Sequence, residues 1–352
     1  MGLVLDVYRD ESSMVRLIIV LALIVFGLFW VSGCSIQLTS LDAVDKRMLE
    51  LPLMGESKLV REPNSLTVKY QTRLDLSGSC RLPYQRFYYD FVGMPVVTGT
   101  TNSGRSYPVL LDTGADFAVI TNSLTVLENE WAILPLGDHE MYPCHVGFCE
   151  LPRLRLGRAV VKDPPCMYLQ QQWELRLLGF PLWRQRGLLA GLGLLKHFSY
   201  IQFDNIHREA EFCVREAFCA EYADAWDAYP MTIRDERLYV TIPIAGNETE
   251  IGLDTCGRYE MVLLPDMWQS IRERLEYDRI RKSKFQSGFL GELPCSRTCI
   301  KTMQMGNVTV KNMEVLILPE DSPYMGGYIS LACFRDTVVV LDFKNEQLWI
   351  RK

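Results

Sequence analysis

Two aspartates in this chain each end an apolar run and lead into a threonine and a tight turn. The stretches read LLDTGA over residues 110–115 and GLDTCG over residues 252–257. One carboxylate at such a turn does little alone. Two that face each other about 3 Å apart cannot both ionise, so the pair holds one proton between them. The ionised member can then draw a proton from a water while the protonated member donates to a carbonyl under attack. That is acid/base chemistry suited to hydrolysing a peptide bond, with Asp112 and Asp254 as the catalytic residues. It demands positions held to a fraction of an ångström. Around Asp112 the apolar runs 109–111 and 118–120 can supply that rigidity by burying both flanks of the loop.

The elements that must carry the two aspartates are duplicated. LRLGRAVVKDPPCMYL (154–169) lies on MQMGNVTVKNMEVLIL (303–318), matching Gly157 with Gly306 and Asp163 with Asn312. Asp112 precedes Gly157 by 45 residues and Asp254 precedes Gly306 by 52; glycine turns follow further on, at Gly191 and Gly327. Upstream, residues 95–112 and 238–254 each read as a β-hairpin with an Asn/Gly turn feeding the aspartate strand. The spacing of apolar residues over 265–280 predicts a helix. Residues 214–230 are acidic and alanine-rich and read as a linker. Each copy is therefore mostly β, with one or two short helices. The boundaries expected are 85–213 for a first lobe around Asp112, 214–232 for the linker and 233–352 for a second lobe around Asp254. Residues 34–84 form a tether and N-terminal extension, or a pro-segment, and residues 1–33 a signal segment.

The chain of 352 residues has room for more than one core. Its net charge of −6 comes without any basic block, which argues against a nucleic-acid partner. Residues 17–31 form an uncharged apolar stretch behind Arg16, followed by VSGC at 31–34. That layout is a secretory signal, too short for a comfortable membrane span of about 20 residues. VSGC resembles the lipobox of bacterial lipoproteins, which makes Cys34 the lipidated residue; the alternative is an uncleaved signal anchor. Either way the protein is expected to be exported and membrane-anchored, in a bacterial cell envelope. Setting Cys34 aside leaves ten of the eleven cysteines, an even number for an oxidising compartment. Cys144 with Cys149, and Cys295 with Cys299, are close enough in sequence to suggest two disulfides. A zinc site is the other option, though the usual knuckle glycines are missing.

With the duplicated turns and their spacing in view, the chain resembles the pepsin-type aspartic proteases, with each half built like a retroviral-protease protomer. The resemblance covers roughly residues 90–352. It implies a two-lobed β fold, each lobe a retropepsin-like β-barrel giving one catalytic aspartate. It implies that Thr113, Gly114 and Thr255 brace the two loops and that a flap hairpin containing Tyr142, His145 and Gly147 covers the substrate. The substrate is then a polypeptide in extended conformation, bound by a monomer with no cofactor and no metal. Two departures stand out. Cys256 replaces the glycine of the second motif, where a side chain could crowd the loop, and that leaves open a silenced, pepsin-like module that binds peptides or partners without cutting them. Ala115 and Gly257 replace a hydroxyl residue that would stabilise the ionised dyad, which moves the expected working range toward weakly acidic pH.

Overall fold

The computed structural model describes residues 35–38, 79–86, 93–139, 142–170, 173–177, 180–184, 186–287, 291–322 and 326–352. The chain divides into two units, Met1–Leu41 with Gln171–Gln185, and Asp42–Gln170 with Arg186–Lys352. The first contains an antiparallel sheet of Ser35–Leu38, Trp173–Leu177 and Phe180–Arg184. Everything that follows concerns the second unit, which is mostly β.

Each aspartate ends the second strand of a hairpin. The first hairpin pairs Val96–Thr101 with Ser106–Asp112, the second pairs Arg237–Ile244 with Asn247–Asp254. Burial alternates along Ser106–Asp112, so Tyr107, Val109 and Leu111 face the core and Asp112 falls at the edge of it. Both aspartate strands then take a parallel neighbour from far along the chain. Leu188–Gly191 lies beside the Asp112 strand and Tyr328–Ser330 beside the Asp254 strand. The duplication extends to backbone conformation: Gly157 and Gly306 have φ of 60° and 56°, and the matched Asp163 and Asn312 have φ of 45° and 52°. These four sit at turns and kinks where few other residue types are at ease.

The register corrects one sequence match. Gly191 pairs with Asp112, whereas Ser330 pairs with Asp254, so Ser330 rather than Gly327 answers Gly191. Glycine is required at the first of these positions, since a Cβ on Gly191 would lie 2.1 Å from the Phe117 carbonyl oxygen.

Three other expectations are revised. The helix expected over 265–280 ends early, as Pro265–Ile271 followed by a 3-10 turn at Arg272–Arg274. Glu276–Tyr277 pairs instead with the strand Gly291–Met305, and the Tyr277 ring packs edge-on to Trp268 at 4.9 Å. The segment read as a linker carries most of the strand Trp226–Arg234, bonded on one side to Gln347–Arg351 and on the other to Arg237–Ile244. Neither close cysteine pair is a disulfide: Cys149, Cys295 and Cys299 are free thiols. Cys295 and Cys299 stand four residues apart on one extended strand. At roughly 3.3 Å per residue their Cα atoms are about 13 Å apart, beyond disulfide reach. Cys144 and Cys149 likewise share one strand, Tyr142–Cys149; the Cys144 side chain lies outside the described residues.

The two aspartate hairpins rest on one continuous apolar core. Val109, Leu111, Val119 and Ala190 from the first copy belong to the same cluster as Ile251, Leu253, Met261 and Ile329 from the second. Residues 1–33 and Cys34 lie outside the described residues. Among the described residues no helix is long and apolar enough to cross a membrane.

Candidate active site

The two aspartate loops are built alike and locked together. Asp112 Oδ1 accepts the Gly114 N–H at 2.9 Å, and Asp254 Oδ1 accepts the Cys256 N–H at 3.0 Å. The backbone N–H groups of Ala115 and Gly257 also reach Asp112 and Asp254 respectively. Between the loops, the Thr113 hydroxyl donates to the Leu253 carbonyl at 2.7 Å and accepts the Thr255 N–H at 3.0 Å. Reciprocally, the Thr255 hydroxyl donates to the Leu111 carbonyl and accepts the Thr113 N–H at 2.9 Å. Both threonines are buried, at 2% and 1% exposure, so water does not compete for these bonds. Thr113 and Thr255 thus cross-link the two loops, while Gly114 serves its own loop by donating its N–H to Asp112.

This brace sets the Asp254 carboxyl against Gly114, the residue whose N–H Asp112 accepts, so the two acidic groups lie close enough for the charge of one to act on the other. Burial raises Asp112 above the ordinary aspartate range, against the pull of its Gly114 and Ala115 N–H donors. Burial and then the charge of Asp112 raise Asp254 much further. The pair therefore keeps one proton above the ordinary aspartate range and titrates as a unit.

The linkage to stability has a definite sign. A carboxyl that releases its proton later in the folded than in the unfolded chain favours folding below its unfolded pKa. That contribution is lost as pH climbs through the folded value. Wild-type stability should accordingly fall relative to Asp254→Asn as pH rises above about 4, by at most about 1.4 kcal/mol per pH unit. Melting curves of the two proteins across that range test this; parallel curves would mean that Asp254 carries no raised pKa.

Gly114 and Cys256 occupy matching places but face different constraints. A Cβ on Gly114 would lie 2.6 Å from Asp254 Cγ and 2.7 Å from each of its oxygens, so only glycine fits. Cys256 does not take a left-handed backbone conformation, and its buried thiol donates to the Leu111 carbonyl at 3.3 Å. The loop geometry on the two sides stays matched, and the crowding feared from the sequence does not occur. Burial and the two nearby carboxylates push the Cys256 thiol well above its usual pKa, so it stays protonated and is a poor nucleophile.

The loops are also pinned from below, by contacts that the sequence reading did not find. Leu192 N–H donates to the Ala115 carbonyl at 2.7 Å, and Gly191 N–H to the Ala118 carbonyl at 3.0 Å. In the second copy Ser330 N–H donates to the Glu260 carbonyl at 3.0 Å. The only hint in the sequence was the glycine at 191.

The hairpin expected to cover the site forms from Ile133–His139 and Tyr142–Cys149. Tyr142 and His145 lie on its second strand, with side chains outside the described residues. Gly147 is not at a tip; it stands inside the sheet, opposite Pro135 on one side and Tyr168 on the other. The Phe148 ring lies 5.6 Å from that of Phe117, so the root of this hairpin packs on the Asp112 loop.

The comparisons with known proteins correct the family reading. No family model matches the chain, and no curated protein matches it. Similar solved structures include basic 7S globulin from soybean, at 12% identity and a TM-score of 0.41. They also include conglutin gamma, a basic 7S globulin from lupine seeds, at 9% identity and a TM-score of 0.40. Each likeness covers 79% of this chain and 95% of the other. Both relatives are named as globulins rather than peptidases, and likenesses this weak carry no argument about what this chain does. Membership of the pepsin and retropepsin protease family, with a bacterial lipoprotein-type signal, is therefore withdrawn, and any function has to rest on the site itself.

Proposed function

We propose that this protein is an aspartic endopeptidase that hydrolyses peptide bonds with a water activated by Asp112 and Asp254. One observation carries the reading: a reciprocal threonine brace holds two aspartate loops together so that the Asp254 carboxyl lies against Gly114 of the Asp112 loop. A structural role alone gives little reason to hold two acidic groups together at the cost of burial. The ionised member of the pair takes a proton from the attacking water. The protonated member donates the shared proton to the carbonyl oxygen, and the tetrahedral intermediate then collapses as a proton passes to the leaving amine. The undistorted Cys256 loop favours catalysis over the silenced peptide-binding alternative.

The duplicated register supports a two-lobed, pepsin-like architecture, proposed as a fold plan and not as a family membership. Each lobe is then a small β-barrel contributing one aspartate, and the substrate is an extended polypeptide held by a monomer. The apolar run at residues 17–31 supports export and attachment to a membrane.

The test is incubation with an unstructured protein, with and without a peptide carrying a hydroxyl-bearing mimic of the tetrahedral intermediate. New peptide termini that disappear with the mimic are the expected result. A protein that binds the mimic but never yields new termini would point to the silenced module.

A further inference from the structure

The strands Tyr142–Cys149 and Cys166–Leu169 pair antiparallel, and their register sets Cys166 directly opposite Cys149. Directly opposed residues have Cα atoms about 4.5–5.5 Å apart, inside the roughly 4.4–6.8 Å that a disulfide spans. Both residues are buried, at 5% and 2% exposure, and Cys149 is near enough to raise the pKa of the Cys166 thiol. No other sulfur among the described residues has a cysteine as its register partner. We infer that Cys149 and Cys166 are a disulfide site, closed when the chain folds in the presence of a disulfide oxidant. The inference stands on the sheet register and does not depend on the proposed peptidase activity.

The step is thiol–disulfide exchange. A thiolate of one cysteine attacks the external disulfide, forming a mixed disulfide and expelling one thiolate, which takes up a proton. The second cysteine, as thiolate, attacks the protein sulfur of that mixed disulfide and expels the other thiolate, which is protonated in turn. The two cysteines are oxidised, the external disulfide is reduced to two thiols, and the protons lost by the protein end on those thiols. In the packed protein, burial and the neighbouring Cys149 hold the Cys166 thiol protonated. Thiolates are the attacking species, so closure belongs to folding, before the sheet is sealed.

The bond would have a local consequence at the site. Cys166–Leu169 runs parallel to Val119–Asn122, the strand that leaves the Asp112 loop. Phe148, next to Cys149, packs on Phe117 within that loop. Joining the two cysteines therefore fastens the hairpin to the sheet that supports Asp112. It is also a different bond from the sequence-adjacent pair with Cys144, which one extended strand does not permit.

The test is mass spectrometry of the full chain refolded in a glutathione redox buffer, alkylated and digested without reduction. The expected product joins the peptides carrying Cys149 and Cys166, two hydrogens lighter than their sum, and vanishes in Cys166→Ser. Alkylation of both cysteines after denaturing the oxidised protein would overturn the inference. So would a bond from either cysteine to another partner.

Discussion

Asp112→Asn is expected to lower peptide cleavage by roughly 10²- to 10⁴-fold while the protein still folds. The amide is nearly the same shape as the carboxylate, and its oxygen can still accept the Gly114 N–H that Asp112 Oδ1 accepts at 2.9 Å. The threonine brace does not involve the Asp112 side chain and survives. What is lost is a group able to take a proton from water. Steady-state cleavage rates, read beside the melting temperature, measure the effect. A loss in kcat with a melting temperature no lower than that of the wild type is the expected pattern; wild-type rates in this variant would remove Asp112 from the chemistry. In the wild type the rate should follow a bell-shaped pH profile whose acid limb lies above the ordinary aspartate value of about 3.9, because burial raises both carboxyls.

The second large effect is on stability. Thr113→Val removes a hydroxyl that donates to the Leu253 carbonyl and accepts the Thr255 N–H, both buried. Valine fills nearly the same volume but leaves those two groups without partners. Each buried group so orphaned costs about 1–3 kcal/mol, so the variant should lose roughly 2–5 kcal/mol of unfolding free energy. Activity should fall as well, since the same bonds set the separation of the aspartates. Thr113→Ser keeps the hydroxyl and should stay close to wild type. Denaturant titration of the three proteins decides it: a valine variant as stable as the serine variant would mean that the brace contributes little.

What could be read in the sequence was what local chemistry dictates. The two Asp-Thr turns, the hairpins that feed them and the matched left-handed positions all have residue types tied to a backbone conformation. Gly157 and Gly306 announce a turn, and Asp163 and Asn312 tolerate positive φ more easily than most. What stayed hidden depends on partners distant in the chain. Spacing along the chain points to Gly327, whereas the match of Ser330 to Gly191 is set by pairing with Asp254, 76 residues away. Cys256 looked like damage because its relief, the Leu111 carbonyl, belongs to the other loop. The cysteines misled for the same reason. Neighbours along one strand point apart or lie far from each other, while Cys149 meets its true neighbour on the next strand of the sheet. The helix at Pro265–Ile271 stopped short because Glu276–Tyr277 found a strand to pair with, which no helical periodicity can reveal.

The central claim is that a water held by Asp112 and Asp254 attacks the peptide bond directly. Cleavage of an unstructured polypeptide in the presence of hydroxylamine tests it most plainly. Attack by the bound water forms no acyl-enzyme, so every new C-terminus should be a free carboxylate, and Cys256→Ala should leave products of the same kind. New termini captured as hydroxamates would mean that a side chain such as Cys256 forms a covalent intermediate, and no cleavage at any pH from about 4 to 7 would contradict a working dyad altogether.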